Sequence, residues 1–227
     1  MAEQLAAYKA ELIELMAKSG VLLFGEFTTK SGRKSPYFVN TGYYKTGAQA
    51  DALSNFYASL INEKLKGQFD GLFGPAYKGI PLCVLTAAAL WRNHQTETNY
   101  CFNRKEAKDH GEGGVIVGYQ PKEGDRLIIT EDVISAGTAV RETMPLIHST
   151  GATVKDMVIS VNRMEKGYDG LTATQEIKKN FNITVHSIVT VYDILAHLHN
   201  REIDGKVYID DTAKALMEDY IGLYCVN

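Results

Sequence analysis

The segment from Leu127 to Ala139 constrains the fold and the chemistry of this chain more than any other. A run of apolar, strand-forming residues leads into two adjacent acids, Glu131 and Asp132. A tight Ser-Ala-Gly-Thr-Ala turn follows, and residues 140–149 have the pattern of a helix. This order predicts a hollow surrounded by backbone N–H groups and a helix N-terminus, which is a favourable site for a phosphate.

The two acids limit what else this hollow can bind. Glu131 and Asp132 would repel a phosphate in direct contact, but carboxylates suit sugar hydroxyls, a positively charged transition state or a nearby magnesium ion. Phosphate and ribose together indicate a phosphorylated sugar as the ligand. An ordinary strand, turn and capped helix would explain the Gly and Thr of the turn, but not paired acids at the end of a strand.

The order of apolar runs along the chain predicts an α/β fold with a central parallel sheet flanked by helices. Short β-branched segments alternate with helical segments, as expected for parallel strands joined by helices. Strands are predicted at 22–27, 37–40, 69–73, 100–103, 126–130, 154–161 and 183–189, and helices at 2–18, 48–65, 80–92, 138–149, 172–179 and near the C-terminus. Such sheets bind ligands beyond the carboxyl ends of their strands, where the informative segments lie.

The composition narrows the class of protein and of partner. With 227 residues, 45% of them hydrophobic, the chain suits a soluble globular protein with one large domain, or with one domain and a small appendage. Its net charge of −3 provides no overall basic field for nucleic acid or an anionic membrane. The longest apolar stretch, 80–91, is too short to span a bilayer, and three cysteines without metal-ligand spacing indicate reduced thiols in a cytoplasmic protein.

A second glycine-rich loop, Gly-Pro-Ala-Tyr-Lys-Gly at 74–79, follows a predicted strand. Its glycines and proline favour a tight loop whose N–H groups can reach a diphosphate, and Lys78 adds a cation. An ordinary turn with a solvated lysine explains the same residues, so this loop alone is a weak indication of function.

Residues 104–114 contain four potential cations and three glycines but no large apolar side chain. We therefore predict a mobile surface loop, which suits a lid that closes over a departing anion. A solvated charged loop without such a role is the alternative.

Residues 24–40 form a further segment in which cationic and aromatic residues are neighbours. That segment suits a flat, anionic, conjugated ligand, although a basic hairpin with a buried aromatic end explains it equally.

The acidic segment resembles the phosphoribosyl diphosphate (PRPP) signature of type I phosphoribosyltransferases. Lys-Ser-Gly-Arg-Lys-Ser-Pro-Tyr-Phe at 30–38, Phe-Gly-Pro-Ala-Tyr-Lys-Gly-Ile-Pro at 73–81 and Asn-Arg-Lys-Glu-Ala-Lys-Asp-His-Gly-Glu-Gly-Gly at 103–114 extend the likeness. With them, essentially the whole chain resembles orotate phosphoribosyltransferases. The resemblance implies magnesium-dependent transfer of ribose 5-phosphate from PRPP to N1 of orotate, which yields orotidine 5′-monophosphate and diphosphate in pyrimidine synthesis.

The resemblance also implies an architecture. It consists of a single phosphoribosyltransferase domain over 1–227, with a small hood formed mainly by about 1–45 and C-terminal parts and with a flexible catalytic loop at 104–114. A homodimer with shared active sites is implied as well, in which this loop reaches the partner's site. No nucleic acid or membrane partner is expected.

Roles for individual residues follow from the same resemblance. The implied catalytic residues are Asp132, Glu131, Lys105, Lys108 and His110. The implied contacts with the diphosphate end of PRPP are Lys30, Tyr77, Lys78, Arg104, Lys105, Lys108 and His110. The implied contacts with its ribose and 5-phosphate are Glu131, Asp132, Val133, Ile134, Ser135, Ala136, Gly137, Thr138 and Ala139. The implied contacts with orotate are Phe38, Val39, Ser135 and Arg163. Magnesium is expected to be held mainly through PRPP rather than by protein ligands.

Four positions depart from the usual family pattern. Glu131 stands where Asp is usual, Ser135 where Thr is common, Val39 where a second Phe is common, and Asn162 where Asp is usual. None of these departures removes an obligatory charge, so they do not indicate an inactive protein, and their effect on affinity stays open.

Two alternative functions stay open at this point. A PRPP-binding regulator without turnover would keep the acidic signature, but such proteins usually need a basic surface for nucleic acid, which a pI of about 6.1 does not favour. A purine phosphoribosyltransferase would lack the cationic and aromatic segment at 30–38.

Overall fold

In the computed structural model the described residues are 5–29, 32–108, 114–134, 137–167 and 169–226, with only the backbone described at Ala107 and Lys108. The helices are α1 Ala7–Lys18, α2 Gly47–Lys64, α3 Gly79–His94, α4 Thr138–His148, α5 Ala173–Phe181, α6 Val191–Leu198 and α7 Asp211–Tyr224. The strands are β1 Leu22–Thr28, β2 Lys34–Val39, β3 Gly71–Gly74, β4 Asn99–Lys108, β5 Gly114–Gly118, β6 Arg126–Thr130, β7 Thr153–Asn162, β8 Thr184–Thr190, β9 Glu202–Ile203 and β10 Lys206–Val207. Most predicted elements are confirmed within a few residues at each end.

The central sheet has six strands in the order β5-β4-β3-β6-β7-β8. β3 pairs in parallel with β4 and β6, and β6 pairs in parallel with β7. These pairings confirm the predicted central parallel sheet. The edge strand β5 pairs antiparallel with β4, so the central sheet is mixed at this edge. The short connection between β4 and β5 explains this edge, because parallel neighbours need a much longer crossover.

The N-terminal end of the loop predicted over 104–114 is part of a strand instead, and the mobility of the segment stays a prediction. Residues 104–108 continue β4, and the antiparallel pairing with β5 includes Asn103 opposite Ile116 and Lys108 opposite Gly114. Backbone pairing needs no apolar side chains, and residues 104–108 extend past the last pairing of β4 with β3, which is Gly74 opposite Phe102. Residues 109–113, the rest of the predicted loop, lie outside the described residues.

The chain divides into two compact units. The first comprises the described residues of Met1–Ala50, Val161–Thr172 and Val189–Asn227, and the second comprises those of Asp51–Ser160 and Ala173–Ile188. The prediction of a single domain with a hood formed mainly by about 1–45 stays a prediction.

The first unit is built around the antiparallel hairpin of β1 and β2. Helix α1 packs against β1 and α6, and α7 packs against β2. The helix α1 buries Leu12, Ile13 and Met16, which lie on one side of it at helical spacing. No described helix is both long enough and apolar enough to cross a membrane.

The second unit holds the main hydrophobic core around β6. Leu127, Ile128 and Ile129 of this strand are all almost fully buried, as expected for a strand inside a sheet with both faces covered. The core joins Leu127 and Ile129 to Val140 and Met144 of α4. These helical residues are four positions apart and lie on one face, so the packing of α4 sets where its first turn lies beside the end of β6.

Candidate active site

A hollow of about 220 Å³ lies in the second unit where β3 and β6 end. The two strands are adjacent and parallel, so the segments that follow them meet at one edge of the sheet. The predicted PRPP contacts that line the hollow are Tyr77, Lys78, Glu131, Asp132, Val133, Ile134, Gly137, Thr138 and Ala139. Ala76, Val140 and Met157 complete the described lining and were not predicted as site residues.

The loop after β3 is held tightly by its own backbone. A Cβ atom at Gly74 would lie 2.3 Å from the carbonyl oxygen of Gly79, so only glycine fits at the first position. The N–H of Gly79 donates to the carbonyl of Pro75 at 3.0 Å, which closes the turn into α3. Consequently the side chains of Tyr77 and Lys78 project from a loop whose path is set by close contacts.

A residue that the sequence did not indicate also holds this loop. The N–H of Ala76 donates to Oδ1 of Asn103 on β4 at 2.9 Å. Asn103 was predicted as the last residue of a strand and belongs to the motif at 103–114, but it was not predicted as a site residue. A polar side chain at the carboxyl end of a strand beside a glycine-rich loop was the available signal.

The two acids at the end of β6 differ in their surroundings from ordinary surface carboxylates. Glu131 and Asp132 are each only 9% exposed. Nζ of Lys78 lies 3.0 Å from Oδ2 of Asp132, so the loop after β3 and the acidic pair form an ion pair inside the lining. Oδ1 of Asp132 accepts the N–H of Val133 at 2.8 Å, which fixes the other side of the same carboxylate.

Glu131 is electrostatically distinct from its neighbour. Burial, followed by the negative charge of Asp132, raises the pKa of the Glu131 carboxyl from 4.5 to about 8. Its Oε1 accepts the N–H of Asp132 at 3.1 Å, which partly offsets that rise. Burial and the neighbouring carboxylate therefore disfavour a second full negative charge in the hollow.

The third side of the hollow is the beginning of α4. Gly137 precedes the helix with a φ of 64°, a left-handed conformation that favours glycine. The first turn of an α-helix has N–H groups without partners inside the helix, and these groups attract anions. The predicted residues Ser135 and Ala136 lie outside the described residues.

Two cations of the predicted catalytic loop, Arg104 and Lys105, have described side chains. Neither side chain is part of the described lining of the hollow. Nζ of Lys105 lies 3.3 Å from Glu142 of α4, and a guanidinium nitrogen of Arg104 donates to the carbonyl of Gly114. The predicted contacts Lys30 and His110, and the side chain of Lys108, lie outside the described residues.

The first unit contains three of the four residues predicted to contact orotate, namely Phe38, Val39 and Arg163. Arg163 forms an ion pair with Glu165, and its guanidinium carbon lies 5.1 Å from the centre of the Tyr37 ring. Glu165 Oε1 also accepts hydrogen bonds from the hydroxyls of Tyr37 and Tyr220, at 3.5 and 2.8 Å. Glu165 is therefore the common acceptor that orients Arg163, and the sequence did not indicate it.

Phe38 and Val39 are neighbours on β2. Side chains alternate along a strand, so Val39 shares a face with Tyr37 while Phe38 faces the other way. The Phe38 ring stacks against Phe27 with centroids 5.6 Å apart. Since the Val39 side chain is only 9% exposed, the replacement of a second Phe there keeps an apolar core position filled.

The departure at Asn162 has a local structural explanation. Its Oδ1 accepts the N–H of Met164 at 2.9 Å, and Met164 has a φ of 58°. A short side chain that accepts a hydrogen bond two residues ahead stabilises such a turn, and an Asp would serve equally.

Comparison with known proteins decides the family. The family model described as a phosphoribosyl transferase domain matches residues 41–197. The chain is 47% identical over 221 residues to the orotate phosphoribosyltransferase of Lachnoclostridium phytofermentans, covering 97% of this chain and 98% of that one. Its identity to the enzyme of Clostridium acetobutylicum is 49% over 221 residues, covering 97% and 99%. This chain belongs to the orotate phosphoribosyltransferase family.

The solved structures agree with this family. The orotate phosphoribosyltransferase of Francisella tularensis matches with a TM-score of 0.82 and 36% identity, covering 95% of this chain and 100% of that one. The resemblance seen in the motifs is thus confirmed, and so is the type I phosphoribosyltransferase fold.

Proposed function

We propose that this chain transfers ribose 5-phosphate from PRPP to N1 of orotate, giving orotidine 5′-monophosphate and diphosphate in pyrimidine nucleotide synthesis. The observation that carries this proposal is the hollow itself, which joins the loop after β3, the acidic pair after β6 and the first turn of α4. A helix N-terminus suits the 5-phosphate, a carboxylate suits ribose hydroxyls, and a cationic loop suits the diphosphate.

The proposed chemistry follows from the charge that develops during transfer. As diphosphate leaves, negative charge grows on it, while the ribose ring becomes cationic. Lys78 and Tyr77 meet the first charge, and Asp132 lies beside the second. On PRPP binding, Lys78 exchanges Asp132 for the diphosphate, and the Asp132 carboxylate turns from the ammonium to the ribose hydroxyls. Most of the rate enhancement is expected from this positioning and electrostatic stabilisation.

The residues present fit magnesium that is carried mainly by PRPP. Within the described part of the chain, no group of three His, Cys, Asp or Glu side chains could hold a metal ion. Magnesium takes oxygen ligands and commonly uses one or two carboxylates together with substrate phosphates. Asp132, which lines the hollow, would be the carboxylate that contacts the ion, because burial and the charge of Asp132 raise the pKa of the Glu131 carboxyl. When bound, the ion would neutralise charge on the leaving diphosphate.

We assign orotate to the segment containing Phe38, Val39 and Arg163. Orotate is a flat anion, and an oriented guanidinium together with backbone donors beside aromatic rings suits such a ligand. Orotate already carries negative charge, so no strong protein base is needed for N1.

The oligomeric part of the proposal is a homodimer with shared active sites. The Lys105 side chain on β4 is 43% exposed and its partner Glu142 on α4 is 60% exposed, so this ion pair can be exchanged for a more favourable one at little cost. We propose that Lys105 and the loop after it serve the partner's PRPP. A cytoplasmic location stays a prediction.

The direct test is an assay of base specificity. Purified protein with magnesium and PRPP is mixed with orotate, uracil, hypoxanthine or adenine, and loss of each base is followed by absorbance. Only orotate should be consumed, and chelation of magnesium should stop its consumption. Turnover of hypoxanthine or adenine would favour a purine phosphoribosyltransferase, and PRPP binding without turnover of any base would favour a regulator.

A further inference from the structure

The acidic pair lies just beyond the part of β6 that the sheet supports. The register between β3 and β6 ends with Phe73 opposite Ile129. Residues that follow lack a strand partner on the β3 side, so their buried carbonyls need other donors. A hydroxyl group on α2 donates to the Glu131 carbonyl, and a hydroxyl group and an N–H on β7 donate to the Asp132 carbonyl.

The first hydroxyl belongs to Tyr57 of α2. It donates to the carbonyl of Glu131 at 2.7 Å across 74 positions of sequence. The side chain of Tyr57 is fully buried. A tyrosine hydroxyl costs free energy to bury without a partner, so a phenylalanine would suit this position better if packing were its only role.

The second hydroxyl belongs to Ser160 of β7. Its Oγ donates to the carbonyl of Asp132 at 2.6 Å, and its N–H donates to the same oxygen at 3.0 Å. Ser160 is 2% exposed. Both acceptor positions of one carbonyl are thereby used, which leaves this peptide unit little freedom to rotate.

We propose that Tyr57 and Ser160 are positioning residues for catalysis, which hold the peptide units of Glu131 and Asp132 so that the Asp132 carboxylate is aimed at the ribose of PRPP. The inference rests on the proposed function. The carboxylate of Asp132 is two bonds from its Cα, and its Oδ1 is tied to the next N–H, so a turn of the peptide plane displaces it directly. Displacements well below 1 Å are enough to slow a positioned reaction.

The test compares three single variants that each lose one buried hydroxyl. Tyr57→Phe and Ser160→Ala remove the donors to the acidic pair. Ser54→Ala is the matched control, because buried Ser54 donates to the carbonyl of Asp51 at 2.7 Å within α2, away from the acids. The melting temperature and the kcat and KM values for PRPP and orotate are measured for each. Ser160→Thr restores the hydroxyl and serves as the rescue.

We expect Tyr57→Phe and Ser160→Ala to lower kcat by about 10-fold each, with smaller changes in either KM. Ser54→Ala should lower the melting temperature comparably while keeping kcat, and Ser160→Thr should recover most of the lost turnover. Repeating Tyr57→Phe in an Asp132→Asn background should cost little further turnover, since the hydroxyl acts through that carboxylate. A purely structural role would instead lower turnover equally in both backgrounds.

The results that overturn the inference are distinct from those that overturn the proposed function. An active parent protein, with Tyr57→Phe no slower than Ser54→Ala, would contradict the positioning role alone. The positioning role would also be contradicted if Tyr57→Phe lowered kcat as much in the Asp132→Asn background as in the parent protein. A folded parent protein that does not consume orotate would overturn the proposed function and this inference together. Tyr57→Phe removes a single oxygen atom and is expected to fold. The test can therefore be completed with this variant if Ser160→Ala does not fold.

Discussion

Lys78 and Asp132 are joined by an ion pair of 3.0 Å, although 54 positions separate them in the sequence. The side chain of Lys78 is 60% exposed, whereas that of Asp132 is 12% exposed. An ion pair with one partner so open to water contributes little to stability. Its importance is that it holds a cation and a carboxylate together at the point where PRPP is proposed to separate them.

Replacing the cation should therefore affect turnover far more than folding. For Lys78→Ala we expect kcat/KM for PRPP to fall by roughly 10²-fold, because a preorganised charge for the diphosphate is lost. The free energy of unfolding should change by less than about 1 kcal/mol. Steady-state kinetics and denaturant unfolding measure the two effects, and Lys122→Ala, an exposed lysine outside the described lining of the hollow, is the control. A loss of unfolding free energy as large as the loss of activity would contradict the prediction that Lys78 acts on turnover rather than on folding.

Replacing the carboxylate should slow the chemical step. Asp132→Asn keeps the shape of the side chain and removes its charge beside the developing cation. We expect kcat to fall by roughly 10²–10³-fold, with a smaller change in the affinity for PRPP. Single-turnover kinetics and PRPP titration separate the two quantities. A variant with nearly normal kcat would mean that the carboxylate is structural.

The raised pKa of Glu131 predicts a pH dependence of stability. Its pKa is about 8 in the folded protein, against 4.5 ordinarily, because burial and the charge of Asp132 disfavour the ionised form. Since the folded pKa is the higher one, this stabilising contribution is fully present below pH 4.5 and is lost as the pH rises through about 8. The expected loss is on the order of a few kcal/mol.

The matched variant for this prediction is Glu131→Gln, which cannot ionise. Denaturant unfolding of both proteins between pH 4.5 and 9, without PRPP, gives the difference in their unfolding free energies at each pH. The parent protein should lose stability relative to the variant as the pH rises. Parallel curves would show that Glu131 ionises in the folded state as it does in the unfolded chain.

Glu165 should act on orotate through Arg163. Glu165→Gln removes the charge that pairs with the guanidinium and weakens the hydrogen bonds from Tyr37 and Tyr220. We expect KM for orotate to rise about 10-fold, since charge-assisted bonds are the stronger ones, while KM for PRPP stays unchanged. Tyr220→Phe, which removes one neutral donor to the same oxygen, should have a smaller effect in the same assay. Equal increases for both substrates would indicate a general loss of structure.

Subunit mixing tests the shared active site. Lys105→Ala and Asp132→Asn are each expected to be nearly inactive. In a random mixture half of the dimers are hybrids, and each hybrid has one intact site if Lys105 serves the partner, so about a quarter of all sites should recover. Recovery is measured as orotate consumption after exchange, with mass spectrometry of intact dimers as the control for mixing. An inactive mixture with proven hybrids would place Lys105 in the site of its own chain.

The order of strand, turn and helix around the site could be predicted from the sequence, but the contacts between its distant residues could not. The strand before Glu131, the turn through Gly137 and the helix from Thr138 follow from apolar pattern and turn chemistry, which act over a few residues. The strand β5 was missed because Gly-Val-Ile-Val-Gly is short and follows a charged segment, so only its pairing with β4 defines it.

The sequence by itself therefore determined the family, the alternation of strands and helices, and the segments that line the hollow. Only the tertiary structure decided that Lys78 meets Asp132, that Tyr57 and Ser160 hold the acidic pair, and that Glu165 orients Arg163. Most of these contacts join residues far apart along the chain, and the raised pKa of Glu131 depends on burial. Both are products of packing in three dimensions, which a periodic pattern of apolar residues does not specify for individual side chains.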